Sequence, residues 1–164
     1  MTQPTVLPNL YRPAAGAVIF NDKGQVWLGR RRTEKRDDIW QYPQGGIDEG
    51  ELAHIAAKRE VEEETGIPIS MLTELKRLST PLFYDLPLKY KTTPRTKKWQ
   101  GQKQYWFAYQ FGGVASDINL NNQSPPEFSS WRWGNLHEAV DTVIDFKRDI
   151  YARLAEEFEA FASP

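Results

Sequence analysis

"GGIDEGELAHIAAKREVEEETGI", Gly45 to Ile67, holds seven acidic residues among 23, opposed only by Lys58 and Arg59. Carboxylates this crowded repel one another unless something positive sits among them. Leu52 to Thr65 contains no Pro or Gly, and Gly66 and Pro68 follow it, so the stretch predicts a helix with its stop signals behind it. At about 100° per residue, Glu60, Glu63 and Glu64 share one arc of that helix, and Glu62 points elsewhere. Ala53, Ala56 and Ala57 lie on the same face, one and two turns earlier, leaving room for the loop that Gly45-Gly46 supplies. Converging hard oxygen donors suit Mg²⁺ or Mn²⁺. The expected counter-charge is therefore a divalent cation, or several.

The rest of the chain bounds the reading. Its 164 residues suit one domain, 1–164, with a core from about 11 to 162. With 40% hydrophobic and 13% aromatic residues, the chain is expected to fold. A net charge of -1 does not suggest a generic nucleic-acid binder. The lack of cysteine excludes disulfides, thiolate metal sites and cysteine nucleophiles, and fits a reducing cytoplasm. "MTQPTVLPNLYRP" shows no signal peptide, and no apolar run is long enough for a membrane span. Basic residues cluster on either side of the acidic stretch: "RRRTEKR" (Arg30–Arg36), and six between Phe83 and Gln104 opposed by Asp85 alone. A carboxylate centre flanked by cations suits a metal site that handles polyphosphate.

Periodicity supplies the frame. Ala17–Phe20 and Val26–Gly29 read as strands joined at "NDKG", and "WQYPQGG" reads as a turn. Leu72–Leu78, Gln104–Phe111 and Glu127–Trp133 read as strands, with Trp106, Trp131 and Trp133 in the core. The polar, basic, proline-containing stretch up to about Gly101 reads as a long loop. Asp145–Phe161 reads as a helix with Ile150, Leu154, Phe158 and Phe161 on one face. Mixed strands and helices suggest a sheet packed between helices.

Gly45, five residues, Glu51, seven residues, then Arg59-Glu60-Val61-Glu62-Glu63-Glu64-Thr65-Gly66-Ile67 resembles the Nudix box without a departure. "YRPAAGAVIFN", "WQYPQGG", "YDLP", "GQKQYWF", "PEFSSWRW" and "FKRDIY" are similar to the branch of that family containing RNA pyrophosphohydrolases and dinucleoside polyphosphate hydrolases. The resemblance implies an α/β fold: a Nudix-type α/β/α sandwich with a mixed β-sheet and a loop–helix–loop box. It implies metal ligation by Glu60, Glu63 and Glu64 with the Gly45 carbonyl, and a further metal-binding or base-like role for Glu127. Arg59 is expected to orient a box glutamate, and Glu51 to support the loop.

Chemistry extends the list. Metals neutralise phosphate oxygens and lower the pKa of an attacking water, and Glu63, Glu64 or Glu127 serves as base. Arg31, Lys89, Lys98 and Lys103 are candidates to hold the remaining phosphates. Tyr84 and Phe146 are candidates to stack on bases, and Lys147 to reach a purine edge or a phosphate. The expected substrate is a nucleotide polyphosphate or a 5′-triphosphorylated RNA, with no membrane or protein partner indicated. The competing readings are a non-catalytic nucleotide sensor or RNA-binding module and a housekeeping enzyme for other nucleoside diphosphate derivatives. The first is disfavoured by the complete glutamate set and the second by the segments outside the box. With only His54 and His137 to supply imidazole, zinc and serine-hydrolase chemistry are disfavoured.

Overall fold

The computed structural model describes residues 10–163. Most of the stretch read for a targeting signal, up to Asn9, lies outside the described residues. Strand β1 (Tyr11–Phe20) sets the layout, because every side chain from Ala14 to Phe20 is buried. A strand buried on both faces belongs in the middle of a covered sheet. It pairs in parallel with β6 (Gly101–Phe111), from Tyr11↔Gly101 to Phe20↔Gln110. β2 (Val26–Arg31) returns antiparallel from the turn at Asn21–Gln25, and β7 (Phe128–Gly134) pairs with β2 at the edge. β4 (Leu72–Arg77) and β5 (Leu82–Asp85) both pair antiparallel with β6, and β3 (Gln44–Gly46) pairs antiparallel with β1. The path is β4-β6-β1-β2-β7. The sheet is mixed.

Strand alternation sorts the core into two layers. Ala15, Ala17, Ile19, Phe107, Tyr109 and Phe111 face α1 (Ala53–Thr65), which meets them through Ala56, Ala57 and Val61. Val18, Phe20, Trp106 and Ala108 face the other way, onto Ile150, Leu154 and Phe158 of α4 (Arg148–Phe158) and Ala139 of α3 (Glu138–Thr142). Helices therefore cover both faces, as the α/β/α expectation required.

Several boundaries differ for identifiable reasons. The stretch expected to be one long loop contains β5 and a short helix, α2 (Pro94–Lys98). Four residues are too few for alternation to be legible, and β5 forms because Leu82–Asp85 pairs with Gln104–Gly101. α2 starts at a reciprocal cap between Thr93 and Thr96, with Pro94 in its first turn. The "WQYPQGG" turn contributes β3, whose glycines lie flat against β1. Trp106 is buried, whereas Trp131 and Trp133 are only half-buried because β7 is an edge strand. The last helix is α-helical only from Arg148 to Phe158, with 3₁₀ turns before and after it.

α1 ends at Gly66, whose φ of 75° is left-handed and whose N–H donates to the Glu62 carbonyl. The Asn119 backbone packs against this glycine where a Cβ would be, and the Asn119 N–H donates to the Thr65 carbonyl at 2.8 Å. Gly66→Ala is expected to cost about 1–3 kcal/mol through backbone strain and this collision. Urea denaturation measures it, and an unchanged midpoint would mean that the Asn119 segment moves aside freely.

Candidate active site

α1 presents its acidic residues to the loop and to β3, and one guanidinium organises them. Arg59 Nε donates to Glu51 Oε2 at 2.8 Å and its Nη2 donates to Glu51 Oε1 at 2.9 Å, a two-pronged pair. The same Nη2 donates to the Gly46 carbonyl at 2.9 Å. Nη1 donates to Glu60 Oε1 at 2.8 Å and to Glu63 Oε2 at 3.2 Å. Glu51 also accepts from the Asp48 N–H. Arg59 and that amide hold the Glu51 carboxyl down at about 2. Arg59 thus contacts Glu51, Glu60 and Glu63 at once, and Glu51 ties the Asp48 amide to that guanidinium.

Glu60 lies on Gly45, with its carboxylate filling the space that a Cβ there would need. This is where the close loop approach occurs. Ala56 and Ala57, assigned to that task from the sequence, instead face the sheet core. Glu64 is 5% exposed and accepts from the Gln44 N–H at 3.2 Å. Burial raises its carboxyl well above the usual range, and the neighbouring Glu60 and Glu127 raise it further. Burial likewise raises Glu60, and Arg59 opposes that rise. Glu62 points away, as expected, and accepts from the Ile69 N–H.

Among the described residues, no three acidic or histidine side chains surround a single point. Arg59 draws Glu60 and Glu63 to itself, while Glu64 turns to Glu60 and the Gln44 amide. The donor set still fits a divalent cation. It is all hard oxygen, and its buried Glu64 lies against the partly buried Glu60, which favours a proton or a cation between the two. Glu60, Glu63, Glu64 and Glu127, with the Gly45 main chain, are the groups that would hold it.

Glu127 reaches the site just before β7. A bulge shifts the β2–β7 register between Arg30 and Arg31, so that Arg31 pairs with Phe128. Arg31 Nε then lies 3.3 Å from Glu127 Oε1. Lys147 is 8% exposed, with its Nζ 5.7 Å from the Tyr84 ring centre and 5.9 Å from that of Phe146. Burial and the Arg31 charge lower the Lys147 ammonium to about 8, while Glu64 and Glu127 pull the other way. Lys147 therefore faces the acidic cluster.

Two clefts flank this centre. One, of about 330 Å³, is lined by Pro87, Lys89, Tyr90, Asp145 and Phe146. The other, a shallower cleft of about 60 Å³, is walled by Tyr84. Phe146 is half-buried at their boundary, 5.4 Å from Tyr84 and 5.2 Å from Tyr90 between ring centres. Two expectations are corrected. Tyr84 is 9% exposed, so it forms a wall between the clefts rather than an open stacking platform. Lys103 lies on the opposite face of β6, over the Tyr105 ring, because Gln102 and Gln104 take the cleft side. Lys98 is exposed, with its Nζ 4.9 Å from the Trp99 ring centre, at the edge of the second cleft.

The sequence reading missed Arg12, Arg95, Trp99 and Gln102, which line the second cleft. It also missed an amide relay in which Gln104 Nε2 donates to Gln102 Oε1 at 2.9 Å and to Gln44 Oε1 at 3.3 Å. Polar residues facing inward on apolar strands, such as Arg12 on β1, were the available signal.

The NUDIX domain pattern matches residues 10–154. The chain belongs to the Nudix family. It is 43% identical over 153 residues to a protein named RNA pyrophosphohydrolase from Caulobacter vibrioides, covering 93% of this chain and 88% of that one. A protein of the same name from Roseobacter denitrificans is 39% identical over 162 residues, covering 98% and 99%. Among solved structures, an Ap4A hydrolase from C. elegans in a binary complex superposes with a TM-score of 0.62 at 19% identity, covering 90% of this chain and 98% of that one. That likeness establishes the fold of this Nudix chain.

The acidic cluster predicts a pH dependence. A raised folded-state pKa stabilises the protein below the unfolded value, 4.5 for Glu64, and that contribution is lost as pH rises. Metal-free protein in chelator is therefore expected to lose stability relative to Glu64→Gln above about pH 4.5, with a slope approaching about 1.4 kcal/mol per pH unit for one proton. Melting curves of both proteins across pH 4–8 measure this. Parallel curves would show that Glu64 ionises in the folded protein as freely as in the unfolded chain.

Proposed function

We propose that this Nudix protein is a divalent-metal-dependent hydrolase of nucleotide polyphosphates. It converts 5′-triphosphorylated RNA ends to monophosphates and also splits dinucleoside polyphosphates. One observation carries the reading: buried Glu64, beside Glu60, lies within electrostatic reach of buried Lys147, on which Arg31 and Glu127 also act and which packs on Tyr84. An acidic pole that needs cations adjoins a basic and aromatic pole that needs an anion and a base. The relatives named RNA pyrophosphohydrolase support the RNA end as substrate.

Mg²⁺ or Mn²⁺, when bound, would supply charge neutralisation at phosphate oxygens and a more acidic water. The chain's own residues do the rest. Arg59 holds Glu60 and Glu63 in place and leaves Glu64 and Glu127 free of its fork. Those two are therefore the carboxylates available to accept a proton from water, Glu64 from a dry position and Glu127 from a more exposed one. Arg31 and Lys147 are placed to balance phosphate charge. Phe146 offers a ring beside a cation for a base near the RNA 5′ end. No helix of the described residues is long and apolar enough to cross a membrane. The cysteine-free composition and the RNA substrate favour the cytoplasm.

Glu64→Gln is expected to lower kcat/KM on triphosphorylated RNA by at least about 100-fold, since even groups supporting metal ligands contribute about 10–100-fold. Glu62→Gln should stay within about twofold, because its side chain bonds outside the site. Equal activity of Glu64→Gln and wild type would overturn the metal-site assignment. Phe146→Ala should weaken turnover of RNA more than of a triphosphate lacking the stacked base, by about 1–3 kcal/mol in kcat/KM. A folded variant losing both substrates equally would limit Phe146 to shaping the cleft.

A further inference from the structure

The cleft beyond Tyr84 contains groups that the cleavage centre does not use. Arg12 and Arg95 have no carboxylate within 4 Å among the described residues, unlike Arg30, Arg31, Arg36, Arg77, Arg132 and Arg153. Arg12 is half-buried, on β1, with its guanidinium packed on Gly46 at the edge of the box. Burial and the Arg95 charge lower its pKa, and Glu60 is the strongest of the groups that raise it. Two neighbouring cations without a carboxylate partner, one of them partly desolvated, repel each other, and an anion bound between them relieves that repulsion. Arg12 thus stands between the acidic centre and Arg95, where a polyphosphate leaving that centre would pass.

An anion alone does not need an aromatic wall, and this cleft has one. Trp99 lines it together with Arg95, Gln102 and Tyr84. Trp99 is also held still. Before it, α2 is anchored by the reciprocal Thr93–Thr96 cap. After it, Gln100 Nε2 donates to Tyr11 Oη at 2.8 Å and to Asp85 Oδ2 at 3.2 Å, and Tyr11 Oη donates to Asp85 Oδ1 at 2.6 Å. The Gln100 N–H donates to the Leu10 carbonyl at 2.7 Å, and its carbonyl accepts from the Leu86 N–H. A half-buried indole fixed at both flanks binds a flat ring at little ordering cost. The cleft is shallow and open to solvent, so a base need only lie against the Trp99 ring rather than enter an enclosed cavity.

We propose that the Arg12–Arg95–Trp99 cleft is a second nucleoside subsite, which takes the far end of a dinucleoside polyphosphate while the near nucleoside lies at Phe146. Arg12 and Arg95 hold the phosphates leading into it, and Trp99 stacks on the base. This rests on the reading of the acidic centre as a polyphosphate hydrolase, and names the substrate class that fills both clefts. An RNA with a 5′-triphosphate fills the phosphate positions and leaves the Trp99 face empty.

The test compares diadenosine tetraphosphate with adenosine 5′-tetraphosphate, which has the same phosphates and lacks the second nucleoside. Affinities are measured by calorimetry on the full chain with Ca²⁺, whose looser coordination disfavours turnover. Wild type is expected to bind the dinucleotide at least about fivefold more tightly, the lower end of one base–aromatic stack. Trp99→Ala should lose that advantage while changing the mononucleotide affinity less than about twofold. Trp99→Phe should keep most of the advantage. Trp99→Leu, which preserves apolar bulk, gives the same comparison if the alanine variant does not fold. Equal loss for both ligands, or no loss for either, overturns the proposal. Wild-type hydrolysis with Mg²⁺ is measured alongside. Failure to hydrolyse either nucleotide or triphosphorylated RNA would sink the proposed function, whereas the binding selectivity decides the subsite independently.

Discussion

Arg59 is the constraint on which the centre depends. Its single guanidinium meets Glu51 through two nitrogens, Glu60 and Glu63 through a third, and the Gly46 carbonyl besides. These partners come from the loop before α1, from α1 itself and from β3. The fork therefore fixes helix, loop and strand relative to one another. A lysine ammonium in the same place has neither the planar fork nor the reach to serve them together. Glu64 is left to one side, buried and short of positive charge, and a cation site needs such a leftover.

The substrate side shows the complementary imbalance. Lys147 is buried among aromatic rings without a carboxylate within 4 Å among the described residues, and Arg12 and Arg95 are likewise unpaired. Each arrangement costs the apo protein stability, and charges of opposite sign are kept apart where neutralising them in place would stabilise the fold more. The separation has a spatial logic. Tyr84, its hydroxyl pushed up to about 12 by burial, stands as an uncharged partition with Phe146 and Lys147 on one side and Arg12 on the other.

The legible parts of this chain were those fixed by local spacing. Glu60, Glu63, Glu64, Arg59 and Glu51 were readable because helix periodicity and the box interval place them without knowledge of the rest. Strand cores such as Ala17–Phe20 and Gln104–Phe111 were readable from apolar runs. What was not readable depends on pairing across the sheet. β5 exists only because β6 offers an edge, and Lys103 turns from the cleft because register gives that face to Gln102 and Gln104. The partition role of Tyr84 needs both clefts to be seen together. Arg12 looked like an ordinary strand residue until its lack of a counter-charge emerged from the three-dimensional arrangement.

The parallel pairing of β1 with β6 joins residues about 90 positions apart, as in Ala15↔Tyr105 and Phe20↔Gln110. The contacts within the box are local by comparison. Loop-closure entropy makes the distant pairing the slow event, because many residues must be ordered before it is rewarded. During synthesis, the first strands and the acidic helix leave the ribosome well before Gly101–Phe111 does. Until then β1 lacks its parallel neighbour, and the seat of the carboxylate cluster is incomplete. The carboxylate cluster is therefore seated only after β6 has been made, and Glu127, which follows β6 in the chain, joins it later still.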